Sequence, residues 1–82
     1  MQYLNEVKKI LAHTLQLGPR AEAFNEHTPL LGSLPELDSI MVVNVLTALE
    51  ERFDISIDDD EISADTFATL GSLALFVKQK LA

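Results

Sequence analysis

The 82-residue sequence has no cysteine. A disulfide framework, a thiolate metal site and a cysteine nucleophile are therefore excluded. It is poor in positive charge, with six Lys and Arg against thirteen Asp and Glu, a formal charge of −7. This argues against nucleic acid as a partner, because binding it requires cations that displace counterions from phosphates. An anionic membrane surface is disfavoured for the same reason. Long apolar runs are also missing. The longest, Ile40 to Val43 and Leu73 to Val77, fall far short of the ~20 residues of a membrane span. The opening Met1-Gln2-Tyr3-Leu4-Asn5-Glu6 has no basic region ahead of an apolar one, so no secretory leader is read there and a cytoplasmic location is expected. No glycine-rich loop of the phosphate-cradling kind occurs.

What is present is a chain of 48% apolar residues, ample for a folded core. Its length predicts a single domain over residues 1–82. Three stretches carry helical spacing. Leu4, Val7, Leu11 and Leu15 form the first stripe, flanked by Tyr3 and Ile10, with Gly18-Pro19 as a stop signal beyond it. Val42, Val45, Leu46, Leu49 and Phe53 form the second, and Leu70, Leu73, Ala74, Val77 and Leu81 the third, with Thr69 as its N-cap. None of these stripes is buried alone, so the prediction is an all-α bundle. The alternation Asp54-Ile55-Ser56-Ile57-Asp58 is too short to predict a strand.

The connection from Leu17 to Leu37 holds all three prolines and two of the three glycines. Phe24, Leu30, Leu31, Leu34 and Leu37 predict that it is ordered against the bundle. After the second stripe, Asp58 and Glu61 make a capping-box-like start for one short turn, anchored by Ile57 and Ile62. The acids gather in this half. From Glu36 to Asp65 there are ten, with one base, Arg52. Such a run fits a solvated face and equally a docking surface for basic partners.

Catalytic and metal constellations are absent from the pattern. His13 and His27 are the two histidines and lie apart, with no triad order. The stretch from Asp54 opens like a calcium loop, but Asp59 and Asp65 stand where glycine and a bidentate glutamate are needed. A dedicated site is rejected, leaving loose cation contact at Asp58, Asp59 and Asp60. No metal site and no enzymatic activity are predicted.

One constellation stands out, Leu37-Asp38-Ser39-Ile40-Met41, where the proline-rich connection meets the second stripe. Asp38 has the chemistry of an N-cap. Ser39 is then the first helical residue, and a phosphate on its hydroxyl would meet unpaired amides and the positive end of the helix dipole. Asp-Ser before an apolar run is also an ordinary capping pattern. Ile40 and Met41 lie on the side away from Val42, Leu49 and Phe53, with Asn44, Thr47, Ala48 and Glu51 on the same outward face, which reads as a contact surface.

Here the sequence resembles the acyl carrier proteins. The residues that carry the resemblance are Leu37-Asp38-Ser39-Ile40, then Leu46-Thr47-Ala48-Leu49-Glu50-Glu51-Arg52-Phe53, the acidic turn Ile57-Asp58-Asp59-Asp60-Glu61-Ile62 and the closing Thr69-Leu70-Gly71-Ser72-Leu73. Asp-Ser alone is a weak signal; the ordered set spans nearly the whole chain. The resemblance implies a four-helix bundle with three longer helices, one short third helix and a long first loop. It implies that Ser39 carries 4′-phosphopantetheine, derived from coenzyme A, whose thiol holds acyl groups as thioesters, and that Asp38 serves recognition by the phosphopantetheinyl transferase. It further implies a monomer whose second helix is read by acyl-loading and acyl-transferring enzymes with basic surfaces. Leu31-Gly32-Ser33-Leu34 faintly resembles the serine motif of peptidyl carriers, but the helical period begins after Ser39, which favours Ser39 over Ser33. The sparse acids on the outward face of the second helix (Met41, Asn44 and Ala48 stand where acids are usual) resemble a specialised stand-alone carrier more than a fatty-acid synthase one. An aminoacyl or peptidyl carrier, and an unmodified acidic helical adaptor, are the alternatives.

Overall fold

A computed structural model describes residues 3–82, and of Asp59 the backbone only. Met1 and Gln2, which open the stretch read for a leader, lie outside the described residues. So does the Asp59 side chain, one of the three carboxylates considered for a loose cation. Three α-helices form the frame: α1 (Leu4–Thr14), α2 (Ser39–Phe53) and α3 (Leu70–Leu81). Three 3₁₀ turns, Gly18–Ala23, Asp59–Glu61 and Ala64–Phe67, complete the helical elements. Helix α1 packs on both α2 and α3. The Tyr3 ring at the start of α1 meets Phe53 at the end of α2 edge-on, with centroids 5.6 Å apart, so these two helices run antiparallel.

The core follows the three stripes. Val7 and Leu11 of α1, Val45 and Leu49 of α2, and Leu70, Leu73, Ala74 and Val77 of α3 are fully enclosed. Val42, Leu46 and Phe53 pack half-buried at the margin. Leu81 is exposed, because α3 ends there beyond its last packed turn. Phe67, which no sequence stripe includes, is among the largest enclosed side chains. It enters the core from the Ala64–Phe67 turn. The place of the expected short third helix is thus taken by two single 3₁₀ turns, both too short for an α-helix. In the first, the Asp58 amide donates to Glu61 Oε2 at 2.8 Å, one half of the anticipated capping box. Residues 54–58 do alternate in burial, with Ile55 and Ile57 turned inward, but no strand forms.

The first helix stops before Gly18-Pro19. Gln16 takes the left-handed conformation (φ 55°), the Leu17 amide reaches back to the Ala12 carbonyl and the Gln16 amide to that of His13. This pairing closes the last turn and satisfies its carbonyls. Gly18-Pro19 opens the first 3₁₀ turn instead of serving only as a stop; proline fits a first helical position because its missing N–H has no partner to lose there.

The long connection is ordered, with one correction to its anchors. Leu30 and Leu37 are buried and Phe24 and Leu34 half-buried, whereas Leu31 is exposed. Leu31 is held by its backbone, which donates to the Phe67 carbonyl, while Leu30 donates to Ala68. In return the Leu70 and Gly71 amides at the start of α3 donate to the carbonyls of Thr28 and Glu26. With Ser72 N–H bound to Thr69 Oγ1 in a full capping box, the first amides of α3 are all paired. A Cβ on Gly71 would stand 2.6 Å from the Glu26 carbonyl oxygen, so only glycine lets the loop lie this close.

Candidate functional site

The first turn of α2 contrasts with that of α3. Asp38 is its N-cap, and Asp38 Oδ1 accepts from the Met41 amide at 2.9 Å. The Val42 amide donates to the Asp38 carbonyl. No described protein atom accepts from the Ser39 and Ile40 amides. Ser39 itself is exposed, as are Asp38 and Ile40. The site is therefore a solvent-facing hydroxyl at a positive helix end, beside two free N–H donors, with the nearest carboxylate already engaged. A phosphodiester on Ser39 fits that chemistry: its oxygens accept from amides and its charge meets the dipole. Ser33 lies in the exposed turn at residues 31–33, where its amide is bound to the Leu30 carbonyl, and it has no helix end to offer.

The approach to this serine is braced. Arg20 in the first 3₁₀ turn pairs with Glu36, two residues before Asp38. The Asp38 amide donates to the Glu36 carbonyl at 3.2 Å. The Glu36 carboxyl lies below its ordinary pKa, through its own backbone amide first and then Arg20.

Around α2 the predicted contact face is partly rearranged. Ile40, Asn44, Thr47 and Glu51 are exposed, Ile40 at 72%. Met41 is half-buried and packs against the core, and Ala48 is half-buried beside α1. Both lie about 80–100° around the helix from Ile40, far enough to leave the solvent face. Val43 belongs on that face and is 59% exposed. Its spacing of three from Ile40 was the available signal, masked by the apolar run in which it sits.

The acidic segment is only partly a free surface. Glu50 Oε2 accepts from the Ile57 amide, and Glu61 binds both the Asp58 amide and Lys80. His13 is exposed near the end of α1 and His27 is exposed in the connection. Among the described residues no three His, Asp or Glu side chains converge. None of the helices described is long and apolar enough to cross a membrane.

Comparison with known proteins matches residues 5–77 to the phosphopantetheine attachment site family. The chain is 33% identical over 78 residues to an acyl carrier protein of Sulfurovum sp. (strain NBC37-1), covering 95% of this chain and 97% of that one. It is 31% identical to an acyl carrier protein of Wolinella succinogenes, covering 95% and 96%. The solution NMR structure of a holo acyl carrier protein from Nitrosomonas europaea superposes with a TM-score of 0.92 at 62% identity, covering 99% of this chain and 98% of that one.

Proposed function

The chain belongs to the acyl carrier proteins, with a phosphopantetheine attachment site within residues 5–77, and we propose that Ser39 is the residue that takes the arm. The carrying observation is the exposed Ser39 hydroxyl beside the two unpaired amides of α2. When attached, the arm supplies a terminal thiol that holds acyl groups as thioesters. Ser39 provides the anchoring oxygen, and the Ser39 and Ile40 amides offset the phosphate charge. Asp38 fixes the first turn by capping it and presents its second oxygen to the transferase.

Residues 1–82 act as one carrier domain in this reading, since a single apolar cluster joins all three helices and the connection. The domain has no chemistry of its own; tethering raises the local concentration of its cargo at each enzyme in turn. Its place of work is the cytoplasm, as a monomer. Partner enzymes read Ile40, Val43, Asn44, Thr47 and Glu51 through surfaces that match this mostly uncharged face. That single exposed acid favours a specialised pathway over fatty-acid synthesis.

The test is intact mass after incubation with coenzyme A, magnesium and a broad-specificity phosphopantetheinyl transferase, followed by peptide mapping. One phosphopantetheine on Ser39 is expected, and Ser39→Ala should lose it while keeping the helical spectrum. Modification that survives Ser39→Ala moves the site to Ser33 and overturns the assignment.

A further inference from the structure

In a chain with thirteen acids, nearly every cation should have found a carboxylate. Among the described residues the ion pairs use Arg20, His27 and Lys80, and the Lys8 ammonium donates to the Phe24 carbonyl. Lys9 and Arg52 take part in none of these contacts, nor does Lys78 on α3. Lys9 and Arg52 line one groove of about 280 Å³ between α1 and the C-terminal half of α2, together with Glu6, Ile10, His13 and Ala48. The floor is apolar, from half-buried Ile10 and Ala48, and the exposed rim carries the two cations and His13. Glu6 also stands on the wall but is in salt-bridge contact with neither cation. The Arg52 guanidinium lies over the Phe53 ring at 5.7 Å. Stacking of this kind steadies a guanidinium and leaves its in-plane N–H donors free.

We propose that this groove is a second docking point, which takes a carboxylate-bearing segment of the partner enzyme that receives the Ser39 arm. The inference rests on the carrier reading of Ser39. Charge complementarity selects the occupant. The field of a −7 molecule repels polyanions such as nucleic acid, whereas one or two carboxylates on a protein segment match two local cations over an apolar floor. The groove is also continuous with the proposed interface, because Ala48 and Arg52 belong to α2. They lie ~14–20 Å along its axis from Ser39. A partner that holds both ends of α2, one by the exposed neutral face and one by opposite charge, is fixed in orientation as well as position.

The probe is an end-blocked Gly-Leu-Glu-Glu-Leu-Gly peptide, whose two carboxylates match the two cations and whose leucines match the apolar floor. It is titrated into the loaded ¹⁵N-labelled protein at moderate salt, where the long-range field of the whole molecule is screened. Shifts are expected at the amides of Lys9, Ile10, His13, Ala48 and Arg52, saturating in the millimolar range. Lys9→Gln with Arg52→Gln should weaken this binding about tenfold or more, and Lys9→Glu with Arg52→Glu should abolish it. Both cations are exposed, and the amide spectrum reports whether each variant is folded. No shift, or shifts that persist in the folded double variants, would overturn the proposal. Groove signals that move with protein concentration alone assign the groove to a second copy and overturn it too. Transferase loading of Ser39, read by mass, should be unchanged in the variants. Absence of loading in the unsubstituted chain counts against the carrier reading, while the peptide titration decides the groove.

Discussion

Met41 and Val43 are both apolar, two positions apart on α2, and the fold gives them opposite tasks. Met41 packs on the core margin, whereas Val43 faces solvent at 59% exposure. Met41→Glu should therefore lower stability by ~1–3 kcal/mol, the cost of placing a charge in a half-buried contact. Val43→Glu should leave stability within ~0.5 kcal/mol, as surface changes usually do, and act on the rates of partner enzymes. Urea unfolding of the two variants, alongside turnover by any enzyme that accepts the loaded carrier, separates the roles. Equal destabilisation would show that Val43 is also core. Asp38 and Glu50 teach the same lesson for charge: each belongs to the acidic half, and each spends an oxygen on a backbone amide, Met41 and Ile57 respectively.

At the scale of elements, the connection and the start of α3 stabilise each other. The Glu26 and Thr28 carbonyls pair amides that a helix start leaves unsatisfied. Gly71→Ala places a methyl carbon 2.6 Å from backbone at Glu26, so the loop must move. A loss of ~1–3 kcal/mol is expected, as for other overpacking changes. The amides of Leu70 and Gly71 should lose hydrogen-exchange protection before the rest of α3. A variant with unchanged protection there would mean that the latch is dispensable. The Asp59–Glu61 turn is tied to α3 by Glu61 and Lys80, whose Nζ–Oε1 separation is 2.7 Å. The Glu61 carboxyl lies below its ordinary value of 4.5, through the Asp58 amide first and then Lys80. A depressed carboxylate pKa contributes stability that is present above the ordinary value and is lost as the pH falls through the folded one. The unfolding midpoint should thus drop as pH falls below about 4.5, and Glu61→Gln should flatten part of that drop. An unaltered acid profile in Glu61→Gln would remove Glu61 from the account.

For the molecule as a whole, one apolar cluster supports everything that positions Ser39. A domain of this size has ~5–15 kcal/mol of net stability. Leu49 is fully enclosed in the middle of α2, so Leu49→Ala should cost ~2–5 kcal/mol, a large share of the total. Thermal unfolding of the variant should show a strongly lowered midpoint, and loading of Ser39 should fall once the unfolded fraction becomes appreciable. A small shift would mean that neighbours collapse into the space. Charge is also a property of the whole. Most of the acids between residues 36 and 65 fall in the last turn of α2 or after it, around Arg52. The cations of the α1–α2 groove are thus a local exception in a negative molecule and mark one place where a partner of opposite charge fits.

Whatever depends on near neighbours in the chain was legible from the residues alone. Apolar spacing of three and four residues defined the three helices and most of their buried stripes, because that spacing returns side chains to one face of a helix. Asp38 and Thr69 were legible as caps, since a cap reaches only two or three residues ahead. The same locality put Ser39 at a helix start. Features that join segments remote in sequence came from packing and were not legible beforehand. Phe67 became core, and Leu31 became exposed, through the docking of the connection on the region before α3. Gly71 gained its role from Glu26, and Ala48 became part of a groove wall because α1 lies beside it. On a helix the flanks of an apolar stripe are buried or free according to how close the neighbouring helix comes. That distance is set by packing across the whole bundle, so the flank positions Met41 and Ala48 were misplaced where the centre of the stripe was not.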